Sequence, residues 1–183
     1  MKSKTVGIQM KIFKTVLLML SLLSVNIYAN LVEDGIVASN SGKKEKAFKV
    51  FEQACDENNP LACQYVAEAY NQGITVKIDV SKALEHYTKS CSLGLGKSCL
   101  FIANSYNKGT GVEKNYTKAL EFYGKACDKS VAKACQHYAF CHEIGRGVKR
   151  NKSIAKEYYK KSCELGIDDG CFYVKQLTQM GVK

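Results

Sequence analysis

From Lys43 onward, apolar and small residues return at the three- and four-residue spacings of helices packed on one side, in short blocks interrupted by glycine, asparagine or proline. Ala47, Val50, Phe51 and Ala54 form the first stripe, which ends at Cys55. The stretch from Asp56 to Pro60 breaks it, and Pro60 stands where a first helical turn accepts proline. Leu61, Ala62, Tyr65, Val66, Ala69 and Tyr70 make a second stripe, expected to run to about Asn71 before Gly73 stops it. The pattern predicts a pair of antiparallel helices and then begins again.

It begins again at a fixed length. Cysteines recur as 55/63, 91/99, 127/135 and 163/171, eight residues apart within a pair and thirty-six between pairs. Ala47, Ala83, Ala119 and Ala155 keep the same register, as do Phe51, Tyr87, Tyr123 and Tyr159, and Gly73, Gly109, Gly145 and Gly181. A period of this length is the signature of a stacked array in which each helix pair buries its apolar face against its neighbours. The fold class expected is therefore all-α.

The connections carry their own chemistry. Gly73-Ile74-Thr75-Val76, Gly109-Thr110-Gly111-Val112 and Gly145-Arg146-Gly147-Val148 place glycines where positive φ angles are needed and a valine that tucks the loop onto the core. Without a preceding strand and a longer motif, such loops are not phosphate cradles. Asp79, Asn115 and Asn151 stand three residues after each valine, placed to cap the next helix. Gly94 and Gly166 suit a left-handed stop after Cys91 and Cys163.

The first cysteine of each pair falls in the last turn of one helix and the second in the first turns of the next. Antiparallel packing brings them together, predicting the bonds Cys55–Cys63, Cys91–Cys99, Cys127–Cys135 and Cys163–Cys171. Zinc sites use pairs separated by two to four residues, which an eight-residue spacing fits poorly. Residues 1–29 favour the same reading: a lysine-bearing start, an apolar run from Val16 to Val25 and Ile27-Tyr28-Ala29 read as an export signal cleaved after Ala29. Met10 is an alternative start. The apolar run is short for a membrane span, so no transmembrane anchor is expected in the mature chain. Residues 30–42 are expected to be a flexible lead-in, and residues 43–183 the repeat array with terminal capping helices. An exported chain meets an oxidising compartment, periplasmic or extracellular, where disulfides persist.

Composition adds less. The 183 residues are 46% hydrophobic and 24% charged, enough to bury a core. The formal charge is +10, but four lysines and no acid lie in residues 1–29, leaving +6 spread over the remainder. That is the charge of a solvated surface, and no nucleic-acid partner is expected.

Ala-x-x-x-Tyr, the Gly-x-Gly-Val loop and the endings Lys89-Ser90-Cys91, Lys125-Ala126-Cys127 and Lys161-Ser162-Cys163 resemble the Sel1-like repeat. With one cysteine pair per repeat and a signal segment, the chain is similar to the secreted Helicobacter cysteine-rich protein family over about residues 43–181. The resemblance implies a right-handed α-solenoid of TPR-like helix pairs with concave and convex faces. It also implies an alternative activity, because members of that family are often named penicillin-binding proteins or beta-lactamases. Ser-x-x-Lys, the first element of a serine beta-lactamase, occurs as Ser41–Lys44, Ser130–Lys133 and Ser153–Lys156, without its Ser-Asp-Asn and Lys-Thr-Gly companions.

The default for a solenoid is binding along its groove. Positions that vary while the packing columns stay fixed are Gln64, Glu68 and Asn71; Leu100, Asn104 and Asn107; Gln136, Phe140 and Glu143; and Phe172, Gln176 and Gln179. They share one face, where carboxamides suit a peptide backbone and Leu100, Phe140 and Phe172 suit its side chains. The ligand expected is a peptide, a protein or a cell-envelope fragment, with a beta-lactam as the alternative, bound by a monomer without a cofactor. His137, Cys141 and His142 lie on one helix, but the histidines occupy aromatic columns and Cys141 the small slot of Ala69 and Ser105, so packing is their expected role. His86 reads the same way, in the column of Val50, Phe122 and Tyr158.

Overall fold

A computed structural model describes residues 31–183. These residues form an α-solenoid in which helix pairs stack in sequence order. Helix α1 covers 31–40. It is followed by α2 (Lys44–Asp56), α3 (Pro60–Gln72), α4 (Val80–Ser92), α5 (Gly96–Lys108), α6 (Tyr116–Asp128), α7 (Ala132–Ile144), α8 (Lys152–Glu164) and α9 (Asp168–Gln179). No strand occurs among the described residues. From α2 onward the main contacts join helices adjacent in sequence.

The structure corrects the expected lead-in. Residues 31–40 are helical, with Val32 and Ala38 buried in one cluster with Phe51. Gly35 lies under the Phe51 ring so closely that an added Cβ would collide with it. This helix has no cysteine, and it turns into α2 through Ser41 and Gly42, so it lacks the signals that mark the later pairs. The export signal, its cleavage after Ala29 and the choice between Met1 and Met10 lie outside the described residues.

Helix starts follow two rules. Asp79 Oδ1 accepts from the Lys82 amide and Asn115 Oδ1 from the Lys118 amide, each at 2.9 Å, and Asn151 Oδ1 accepts from the Ser153 and Ile154 amides. Asn59 caps α3 in the same way, ahead of Pro60. Helices α5, α7 and α9 begin instead after Leu95, Val131 and Ile167, with no side-chain cap. Gly73, Gly109 and Gly145 end their helices at φ of 71°, 77° and 79°. In two other columns the backbone enforces the left-handed region even where glycine is missing. Asn58 (64°) and Ser130 (60°) share the position of Gly94 and Gly166, and Thr75 (65°) that of Gly111 and Gly147.

All four cysteine pairs are bonded, with Cα separations of 4.6, 4.9, 4.7 and 4.8 Å from first to last. Helices come this close because the flanking residues are small. Ala54, Ser90, Ala126 and Ser162, with Ala62, Ser98 and Ala134, are wholly buried, and Gly170 is buried beside them. Their hydroxyls are satisfied: Ser90 Oγ donates to the Pro60 carbonyl at 2.7 Å and lies 2.7 Å from Ser98 Oγ, and Ser162 Oγ donates to the Ala132 carbonyl.

An aromatic ladder runs beside the disulfides. The ring before each first cysteine packs on the ring after each second one: Phe51 on Tyr65 at 4.4 Å, Tyr87 on Phe101 at 3.9 Å, Tyr123 on His137 at 5.0 Å and Tyr159 on Tyr173 at 4.7 Å. Each rung joins two antiparallel helices and fixes the angle the staple alone leaves free.

Candidate functional site

Helices α3, α5, α7 and α9 carry the variable stripe. Gln64, Glu68, Asn71, Leu100, Asn104, Asn107, Gln136 and Glu143 are partly exposed, while Phe140 (40%), Phe172 (56%), Gln176 and Gln179 are exposed. Several of these residues are already engaged. Gln64 Nε2 donates to Glu68 Oε1 at 2.6 Å, and Gln136 Nε2 to Asp169 Oδ2 at 3.3 Å.

The buried tyrosine column reaches through to this stripe, which sequence reasoning missed. Tyr123 Oη donates to Asn104 Oδ1 at 2.8 Å, and Tyr159 Oη to Glu143 Oε2 at 2.7 Å. Burial pushes the Tyr123 phenol up to about 12. Burial, then the bond to Glu143, raises Tyr159, and burial with the nearby Glu68 carboxylate raises Tyr87. All three stay neutral donors. The hydroxyl fixes each acceptor: with Oδ1 of Asn104 taken, its Nδ2 is left to donate outward. The available signal was the recurrence of tyrosine at 87, 123 and 159, in the column where Phe51 packs without a hydroxyl.

At one end of the stripe a cavity of about 230 Å³ opens between α2 and α3, lined by Phe48, Phe51, Tyr65, Ala69, Glu68 and Thr75. It lies where Thr75 replaces the loop glycine. The corresponding glycines are pressed against the preceding helix start, Gly111 on Val80 and Gly147 on the Tyr116 backbone.

Cys141 is the unpaired cysteine and is buried at 3% exposure; burial raises its thiol pKa, leaving it protonated and unreactive. His142 is buried at 5% with neither ring nitrogen hydrogen-bonded, and burial lowers its pKa. In the two preceding repeats its column holds Tyr70 and Tyr106, each under a lysine, Lys82 or Lys118, at 5.2 Å. Here Ile154 replaces the lysine, removing the cation from beside an imidazole. Its ring packs instead on Tyr138, 4.8 Å away, and Tyr138 fits because the facing residue is Gly124, whose added Cβ would sit 3.2 Å from that ring. His86 stacks on Tyr70 at 5.7 Å. Among the described residues no three His, Cys, Asp or Glu side chains are placed to hold a metal ion.

The three Ser-x-x-Lys matches lie in different repeats and are not assembled. Ser41 Oγ donates to the Val37 carbonyl, Ser130 is an exposed residue at a left-handed turn, and Lys156 Nζ donates to the Val182 carbonyl at 2.6 Å.

A solenoid of helix pairs, each stapled across its turn, defines the class of protein. Within that class, the Sel1 repeat family profile matches residues 30–59, 60–95, 96–131 and 132–167, so the chain belongs to the Sel1 repeat family. The first match includes the helix that the sequence pattern concealed. Among solved structures, Helicobacter pylori cysteine rich protein B is 28% identical with a TM-score of 0.56, over 70% of this chain and 92% of that one. A Sel1 repeat protein from Oxalobacter formigenes (22% identity, TM-score 0.73, 84% of this chain) shares the fold. So does c5321, a protective antigen of uropathogenic Escherichia coli with an SLR fold (23%, 0.77, 85%). The chain spans 64% and 34% of the lengths of these two. A comparison with curated proteins gives no match. The disulfides are those of a protein held in an oxidising, non-cytoplasmic compartment, and among the described residues no helix is long and apolar enough to cross a membrane.

Proposed function

We propose that this protein is an exported scaffold, periplasmic or secreted, that binds an extended peptide segment of a partner protein in the concave groove lined by α3, α5, α7 and α9. The observation that carries this reading is the tyrosine column: buried hydroxyls hold Asn104 and Glu143 in fixed orientations on an otherwise solvated face. The two bonds satisfy buried phenols, and the same pre-orientation of Asn104 and Glu143 lowers the entropy cost of binding. Rigid staples serve the same end, because they hold successive helices at one spacing along the groove. The protein acts as a monomer, and no covalent chemistry is involved.

Capture of partners from envelope and culture-medium fractions tests the reading, with Asn104→Leu and Asn107→Leu compared with Lys160→Gln elsewhere on the surface. Loss of one discrete partner in the first two variants alone is expected. Capture unchanged by Asn104→Leu and Asn107→Leu would remove the groove from consideration.

A further inference from the structure

The loops that join α3, α5 and α7 to the next helix are closed underneath in different ways. Below Gly111 the space is filled by Val80 and Leu84, so tightly that an added Cβ would collide with Val80 Cγ1 and stand 3.3 Å from Leu84 Cδ1. Gly147 rests directly on the Tyr116 backbone. In the first loop both partners differ: Thr75 stands in place of the glycine and Lys44 in place of Val80. A threonine and a branched aliphatic residue do not fit there together, and with the unbranched, exposed Lys44 a cavity of about 230 Å³ stays open. Its floor is apolar and firmly packed. Ala47, Phe51 and Ala69 are buried, and Phe51 packs on both Gly35 and the Tyr65 ring, whose centroid is 4.4 Å away. The exposed Ser39, Lys44 and Thr75 form its mouth.

We infer that this cavity is an anchor for one aliphatic side chain, of valine or leucine size, carried by the extended peptide that the groove holds. The inference rests on the groove reading, because Glu68 belongs both to the stripe and to the cavity wall. The next repeat shows what completes such a space: there the protein supplies an aliphatic side chain of its own, Val80. In the first repeat the same chemistry is left for a partner to supply. The lining contains one cation and one anion, Lys44 and Glu68, so it favours neither charge in a ligand. Glu68 accepts from Gln64 Nε2 at 2.6 Å, and a carboxylate takes more than one hydrogen bond, so it can also receive a main-chain N–H beside the anchored residue. The inserted side chain then sets the register of the peptide along the stripe.

Magnetic resonance of the oxidised, isotope-labelled protein tests this, with N-acetyl-leucine N-methylamide as the probe. The backbone amides of Ala69, Ile74 and Thr75 should shift in a saturable titration. N-acetyl-alanine N-methylamide should bind about tenfold more weakly, because it leaves most of the apolar wall uncovered. Two variants close the cavity from different sides. Lys44→Val with Thr75→Gly rebuilds the closure of the next repeat, and Ala69→Leu gives α3 the residue that Leu177 supplies to the same column of α9. Either one, shown by thermal unfolding to be folded, should abolish the shifts, whereas Asn104→Leu, in the groove but outside the cavity, should leave the probe bound. Shifts absent up to the solubility limit of the probe, equal for the two derivatives, or retained in a folded closed variant would overturn the anchor. Tighter binding of N-acetyl-lysine N-methylamide would make the cavity a cation site and overturn it as well. If partner capture still depends on Asn104 in any of these cases, the groove stands without its anchor.

Discussion

The interior and C-terminal repeats carry the same staple in different surroundings. Cys127 and Cys135 are wholly buried, whereas Cys163 is partly exposed and Cys171 is exposed, although the Cα separations, 4.7 and 4.8 Å, are nearly equal. The columns beside them diverge in the same way: Ala139 is buried where Lys175 is exposed, and buried His142 corresponds to exposed Thr178. The bond is local and does not depend on its neighbours. Its burial is a property of the next repeat, as expected of an array stabilised by nearest-neighbour interfaces.

Glycine substitutions should separate the two regions most. Gly147 lies at φ +75°, and an added Cβ would fall 2.5 Å from the Tyr116 carbonyl, whereas Gly166, at +93°, has nothing within 4 Å. Gly147→Ala is expected to cost about 3 kcal/mol, since strain and collision combine. Gly166→Ala should cost about 1 kcal/mol, the left-handed penalty alone. Urea unfolding of both variants measures the gap, and equal losses would mean that interior packing adds nothing.

Removing the Cys127–Cys135 bond by paired alanines should cost about 2.5 kcal/mol from loop closure, with a further loss for the buried volume. Under limiting reductant the order is set by access, so Cys163 and Cys171 should be alkylated first and Cys127 and Cys135 last. Mass spectrometry of the trapped thiols reads that order; simultaneous labelling would show global unfolding rather than local access.

The tyrosine column gives a smaller contrast. Tyr159→Phe removes a hydrogen bond to a carboxylate and should cost about 2 kcal/mol, whereas Tyr123→Phe removes one to an amide and should cost about 1 kcal/mol. Urea unfolding of both variants measures the difference, and identical losses would mean that the two acceptors are worth the same to the fold.

Acid should weaken the interior further. The folded pKa values of His142, His137 and His86 are all held low, chiefly by burial, so the unfolded chain binds more protons. Stability is then full above about pH 6.5 and falls below it, by at most about 1.4 kcal/mol per pH unit for each histidine that stays neutral. His142→Phe should flatten part of that slope, as followed by thermal unfolding between pH 7.5 and 5. The smallest effect is a gain: Thr75→Gly relieves a left-handed threonine and should add about 1 kcal/mol.

Much of this architecture could be read from the repeat itself. Cysteine spacing, the cap residues Asp79, Asn115 and Asn151, and the stops at Gly73, Gly109 and Gly145 are local signals, each fixed by a backbone requirement within a few residues. Helix α1 was hidden because it has no cysteine and declares itself through burial on Phe51. Asn58, Ser130 and Thr75 were hidden for the opposite reason: the array imposes a left-handed turn on residues that would not choose it. At the candidate site the stripe was legible as a set of variable positions. Its fixed hydrogen bonds were not, because the phenols that make them are carried by α6 and α8, on the far side of the core.

Every staple joins residues only eight apart in sequence, across a single turn. Eight cysteines allow 105 pairings in principle, yet a chain that emerges N-terminus first offers them in order. Cys55 and Cys63 can close before Cys91 is presented, and the next two pairs likewise meet their own partners first; Cys163 is preceded by the free thiol of Cys141, which folding buries. Oxidation can then keep pace with emergence, and the protein needs little disulfide shuffling to reach its native set. Adding or losing a whole repeat leaves that order intact, so the length of such an array is free to change without disturbing how it is assembled.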